Sequence, residues 1–176
     1  MIPRLTAGSG GAPAPIAISD ARGVPVFKAV FLNAPGRPSG RKKSDFKRLV
    51  LSSATGDAIF AFCRDTEVDP HTGHSGLAIF RHSEQLFGDL RADGPRPANG
   101  YSVSTHRGWR MRFRGDPDGR NLNATDENGR LLAITESHGP ARRSVRIGPL
   151  VDAGLIAISV LGIDVLGMGY SESQRL

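Results

Sequence analysis

The segment Leu150 to Met168, LVDAGLIAISVLGIDVLGM, constrains this chain more than any other, because sixteen of its nineteen residues are apolar or glycine. The exceptions are Asp152, Ser159 and Asp164. A helix that is apolar on every side has no face to give to water, so it must be wrapped in protein or in lipid. A free-standing membrane span needs roughly 18 or more residues with few or no charges. The uncharged run between Asp152 and Asp164 is eleven residues, well short of that requirement. A core helix is the favoured reading and a membrane span the second. Asp152 falls where a helix N-terminus favours negative charge, and Pro149 suits the first helical turn. Asp164 lies deeper. In a core it needs a hydrogen-bond partner or a cation, for which an arginine from the surrounding wall is a natural source.

The remainder reads as strands. Runs of four to eight residues recur at Ile16–Ser19, Val24–Phe31, Lys47–Ser53, Ala58–Cys63, Leu77–Arg81, Leu86–Ala92, Tyr101–Thr105, Trp109–Arg114, Leu131–Glu136 and Ser144–Ile147, bounded by Gly, Pro, Asn and Asp. Residues 82–91 suit a helix as well as a strand. Alternation is clearest from Trp109 to Arg114: Trp109, Met111 and Phe113 fall on one face, with Arg110, Arg112 and Arg114 on the other. Four connections place Asp or Ser three residues before Gly: Asp20-Ala-Arg-Gly23, Ser53-Ala-Thr-Gly56, Asp116-Pro-Asp-Gly119 and Asp126-Glu-Asn-Gly129. Each suits a type I turn closed by a left-handed glycine, the connection of an antiparallel hairpin. An all-β wall followed by an apolar helix has a natural solution. The strands close into a barrel and the helix runs through it.

Length and composition agree with one domain. The single cysteine, Cys63, excludes an internal disulfide framework and reads as a buried strand residue. Residues 1–15 read as a flexible arm without a secretory signal, 16–168 as the barrel domain with its helix near 150–168, and 169–176 as a tail. The expected location is intracellular, soluble or peripheral to a membrane, with no transmembrane insertion.

The order of elements resembles the tubby-like fold, and within it the LURP-one-related and phospholipid-scramblase branch. The residues that carry the resemblance are IAISDARGVPVFKAVF, KRLVLSSATGDAIFAFCRD, GWRMRFRGD, ATDENGRLLAITES and VDAGLIAISVLGIDVL, in that order. The resemblance implies a closed antiparallel β-barrel of about twelve strands around one buried hydrophobic C-terminal helix. It also implies binding to membrane phosphoinositides or a role in lipid movement. Scramblase-like activity itself is disfavoured, since the apolar helix is needed inside.

Charge supplies the functional candidates. The net charge is +6, and thirteen of the 23 basic residues fall in three groups. The first is Arg37, Arg41, Lys42, Lys43, Lys47 and Arg48; the second is Arg107, Arg110, Arg112 and Arg114; the third is Arg142, Arg143 and Arg146. Such grouping points to an acidic partner, although an ordinary solvated face is the plain alternative. Arg41, Lys42, Lys43, Lys47, Arg48, Arg110, Arg112 and Arg114 are the expected contacts for anionic phospholipid headgroups. A structural subunit of a larger complex and a binder of nucleic-acid phosphates are the competing readings. Phe46 is the only aromatic residue among the first basic group, which weakens base stacking.

No enzymatic constellation emerges. Ser75 in Gly73-His-Ser-Gly76 is not a five-residue nucleophile elbow. His71 and His74 lack the second ligand pair of a zinc site. Asp116, Asp118, Asn121 and Asn123 meet only part of a calcium-loop pattern. The expectation is a non-catalytic protein with no cofactor and no metal.

Overall fold

Successive side chains of a strand point to opposite faces, so alternating apolar and polar residues dictate a sheet with one dry side. The computed structural model describes residues 15–33, 46–66, 76–94, 100–116, 121–139 and 142–173, with only the backbone at 33, 46, 47 and 167–173. Eleven strands come first: β1 (Ile16–Ser19), β2 (Pro25–Asn33), β3 (Phe46–Ser53), β4 (Ile59–Asp65), β5 (Leu77–Arg81), β6 (Leu86–Ala92), β7 (Tyr101–Thr105), β8 (Arg110–Gly115), β9 (Leu122–Asp126), β10 (Leu131–Ser137) and β11 (Arg143–Ile147). Among the described residues one helix, α1 (Ala153–Ser173), follows. Each strand pairs antiparallel with the next, giving one sheet in chain order.

The mainly β architecture with one C-terminal helix is as expected, and strands stand at or within a few residues of all ten expected places. The candidate helix over 82–91 is instead β6 and the turn before it. β9 is the strand the sequence hid. In LNATD only Leu122 and Ala124 face inward, and Asn, Thr and Asp dilute the apolar signal. Closure also differs from expectation. Among the described residues β1 and β11 each have one strand neighbour, so hydrogen bonds do not close the eleven strands into a barrel.

The sheet nonetheless wraps α1. Eight consecutive residues, Ile156 to Ile163, are buried. At 3.6 residues per turn such a run covers every side of a helix. Its nearest strands are β3, β4 and β6. The inward faces supply the matching surface: Ile16 and Ile18 from β1, Leu49 and Leu51 from β3, Leu77 and Ile79 from β5, and Met111 and Phe113 from β8. Burying each such side chain stabilises by about 1.5–3 kcal/mol. Gly162 lets helix and sheet come close, since a Cβ there would stand 2.7 Å from Leu90 Cδ2 and 3.1 Å from Leu77 Cδ1.

The helix begins later and runs further than expected. Asp152 is its N-cap: Oδ1 accepts the Leu155 N–H at 3.0 Å and the carbonyl oxygen accepts that of Ile156 at 3.1 Å. Pro149 therefore lies before the first turn, beside an exposed Leu150 with φ of 62°. The helix ends at Ser173, five residues past Met168, so the expected tail at 169–176 is largely helical. Among the described residues no helix is long and apolar enough to cross a membrane.

Polar groups in this interior are few. Arg143 Nη2 meets Asp164 Oδ1 at 3.0 Å, with side chains 1% and 9% exposed. The wall thus supplies the arginine that Asp164 requires. Arg143 consequently leaves the third basic group, whose other described members are surface residues: Arg146 pairs with Glu136, and Arg142 is exposed. The Ser159 hydroxyl is buried without a hydrogen-bond partner. Burying such a group costs about 1–3 kcal/mol, so Ser159→Ala is expected to raise stability by ~1 kcal/mol. A urea midpoint at or below that of the parent chain would refute this.

Hairpin chemistry follows the sequence at three of the four expected turns. Asp20 Oδ1 accepts the N–H groups of Arg22 and Val24 at 2.8 and 2.9 Å, and Gly23 adopts φ of 83°. Asp126 Oδ1 repeats this toward Asn128 and Arg130, with Gly129 at φ of 80°. At Ser53 the hydroxyl accepts the Ala58 N–H at 3.2 Å. The fourth turn, at Asp116 to Gly119, lies mostly outside the described residues.

Candidate anionic-surface interface

β8 carries the candidate interface because its alternation is strict. Met111 and Phe113 are fully buried against α1's side of the sheet, which forces Arg110, Arg112 and Arg114 to the outer face, where all three are exposed. At about 3.3 Å per residue, alternate positions stand roughly 7 Å apart. The strands on either side leave this row open. On β7, Ser102 pairs with Arg112 and Ser104 with Arg110; on β9, Thr125 pairs with Arg112 and Asn123 with Arg114. The row of guanidinium groups is flanked by short hydroxyl and amide side chains. Arg91 of β6 extends the positive field, since it pairs with Ser102 on the same outer face. Asp116, two residues past Arg114, has its carboxylate engaged by Asn121 Nδ2 at 2.8 Å, and Asp89 of β6 stands opposite Ser104. None of Arg110, Arg112 and Arg114 makes an ion pair or side-chain hydrogen bond among the described residues.

The other expected contacts divide. Arg41, Lys42 and Lys43 lie outside the described residues. Lys47 is on β3, known by its backbone. Arg48 is on β3 too, but its guanidinium carbon sits 3.9 Å from the centre of the Phe62 ring. Phe62 in turn stacks on Phe80 with centroids 4.9 Å apart, and Arg64 approaches both rings. This cation–π layer explains how Phe62 is 1% exposed although it points away from α1. Arg48 therefore serves packing. β3 and β8 are five strand steps apart, about 24 Å along the curved sheet, so Arg48 does not join the β8 row.

A second feature was not legible beforehand. Where the β5–β6 and β7–β8 turns meet the start of α1, a cavity of about 330 Å³ opens, lined by Arg81, Phe87, Arg107, Trp109 and Leu155 among others. Its walls come from three separate segments, and only their folding together creates it.

Cys63 faces the core, and burial pushes its thiol pKa well above the usual range. A thiolate is the reactive form. The native chain is therefore expected to resist a thiol-specific disulfide reagent and to take up one equivalent on unfolding. The folded state holds the proton that an unfolded chain releases in the ordinary thiol range. This contribution to stability is complete at neutral pH and is lost as pH rises above that range. Rapid native labelling at neutral pH would contradict it.

Among the described residues no group of three His, Cys, Asp or Glu side chains is arranged to hold a metal ion. Ser75, His71 and His74 lie outside the described residues. No family model, curated protein or solved structure matches this chain, so no family, the tubby-like one included, is assigned to it.

Proposed function

We propose that this chain is a non-catalytic β-sheet domain that docks on acidic phospholipid headgroups, with the outer face of β8 as its contact. The observation that carries the reading is the row Arg110, Arg112 and Arg114, exposed and without acidic partners among the described residues. Guanidinium groups donate in a fork that suits phosphate oxygens, and the neighbouring Ser102, Ser104 and Thr125 hydroxyls can donate as well. The same cations would attract a nucleic-acid backbone. The outer faces of β7, β8 and β9 hold Ser, Arg, Asn and Thr, with no aromatic ring on which a base would stack. A headgroup surface is therefore favoured.

The test is flotation of the full chain with vesicles of phosphatidylcholine alone, or of phosphatidylcholine with phosphatidylserine or a phosphoinositide. The expected result is recovery with the anionic vesicles only, lost at high salt because surface charge is screened. Equal, salt-insensitive recovery on neutral and anionic vesicles would overturn the proposal, and so would binding to single-stranded RNA with none to vesicles.

A further inference from the structure

The cavity beside the start of α1 joins an apolar floor to a cationic rim. Phe87 and Trp109 meet edge to face with centroids 6.4 Å apart, and both pack against the core together with Leu155. These rings are held from behind by the sheet, so they form a preset wall. At the rim stand Arg81, His106 and Arg107, all exposed. The Arg81 guanidinium carbon lies 5.3 Å from the centre of the Phe87 ring, which places its charge at the edge of the apolar wall. Neither Arg81, His106 nor Arg107 uses its side chain in a hydrogen bond or ion pair among the described residues. The acid lining the cavity is Asp152, and its Oδ1 is engaged by the Leu155 N–H as the helix cap.

The volume, about 330 Å³, falls at the lower end of small-molecule sites, which are commonly apolar with a few convergent polar groups. Aromatic walls favour a flat ring system through stacked or edge-on contacts. Two arginines with open donors favour a carboxylate over a neutral or cationic group. We propose that this cavity is a binding site for a small aromatic carboxylate, its ring against Phe87 and Trp109 and its carboxylate on Arg81 and Arg107. The site is separate from the β8 row and does not depend on the lipid reading.

Trp109 is the chain's single tryptophan, so its indole N–H gives one NMR signal reporting on the wall. The full chain is titrated with 2-naphthoate and, in parallel, with the neutral isostere 2-naphthamide. The expected result is a saturable shift of the Trp109 signal, with naphthoate binding about tenfold or more tightly than the amide, as a charge-assisted hydrogen bond implies. The exposed variants Arg81→Gln and Arg107→Gln together should retain the parent spectrum's dispersion and lose the preference for the carboxylate. No saturable shift at Trp109, equal affinity for acid and amide, or an unchanged preference in the double variant would each overturn the proposal.

Discussion

Replacing Arg143 by Met is expected to lower the unfolding free energy by about 3–5 kcal/mol, because it leaves Asp164 as a buried charge without its cation. The two side chains are 1% and 9% exposed and 3.0 Å apart. Removing one partner of such a pair is costly, whereas replacing both by apolar residues of similar volume is often neutral or stabilising by about 1–4 kcal/mol. Arg143→Met with Asp164→Leu is therefore expected to recover the parent stability or exceed it. Urea denaturation of the parent, both single variants and the double variant closes this cycle. Against a typical domain stability of about 5–15 kcal/mol, the single change removes a large share. The consequence reaches beyond energy. Among the described residues β11 is an edge strand with one paired neighbour, β10, and this ion pair ties it to the distal half of α1. Hydrogen exchange in β11 should accelerate in Arg143→Met before the rest of the sheet loosens. A loss below about 1 kcal/mol, or a double variant no better than the singles, would show that the pair does not hold this edge.

Changing Arg110, Arg112 and Arg114 together to Gln is expected to weaken association with phosphatidylserine vesicles by roughly 100-fold. Each basic residue near an anionic membrane surface contributes about 1 kcal/mol, and 1.4 kcal/mol is a factor of ten. All three side chains are exposed, and β8 owes its place to Met111 and Phe113 on the opposite face. Stability should therefore change by less than about 0.5 kcal/mol. The comparison variant is Arg48→Gln. Its guanidinium covers Phe62 at 3.9 Å, so it is expected to lower stability with little effect on vesicle affinity. If Arg48→Gln weakens vesicle binding as much as the triple change does, the contact surface lies elsewhere than β8. Unaltered binding by the triple variant would dispose of the β8 interface altogether.

Much of the candidate site could be read directly, because strand alternation is a nearest-neighbour property. Once Met111 and Phe113 are inward, Arg110, Arg112 and Arg114 must be outward. Arg48 could not be read the same way. Its place in β3 sets it on the outer face, but only the pairing of β3 with β4 brings it over Phe62. Arg143 shows a signal that was present and missed. Arg143, Val145 and Ile147 share a parity, so a strand carrying Val145 inward carries Arg143 inward too. Starting that strand at Ser144 concealed this, whereas β11 begins at Arg143.

The amino-acid sequence alone determined that the C-terminal segment needs an enclosure, that hairpin strands would supply it, and where most turns fall. These follow from local chemistry: eleven uncharged residues in succession, side chains alternating in period two, and Asp or Ser set three before Gly. The tertiary structure alone decided the rest. It made β9 a strand despite its polar residues, because strands on both sides offered it hydrogen bonds. Among the described residues it left the ladder unclosed between β1 and β11, chose Arg143 as the counter-ion of Asp164, and joined two turns to a helix start around a cavity. Each of these depends on register between segments far apart in the chain, and such distances are set only when the whole sheet has curled around its helix.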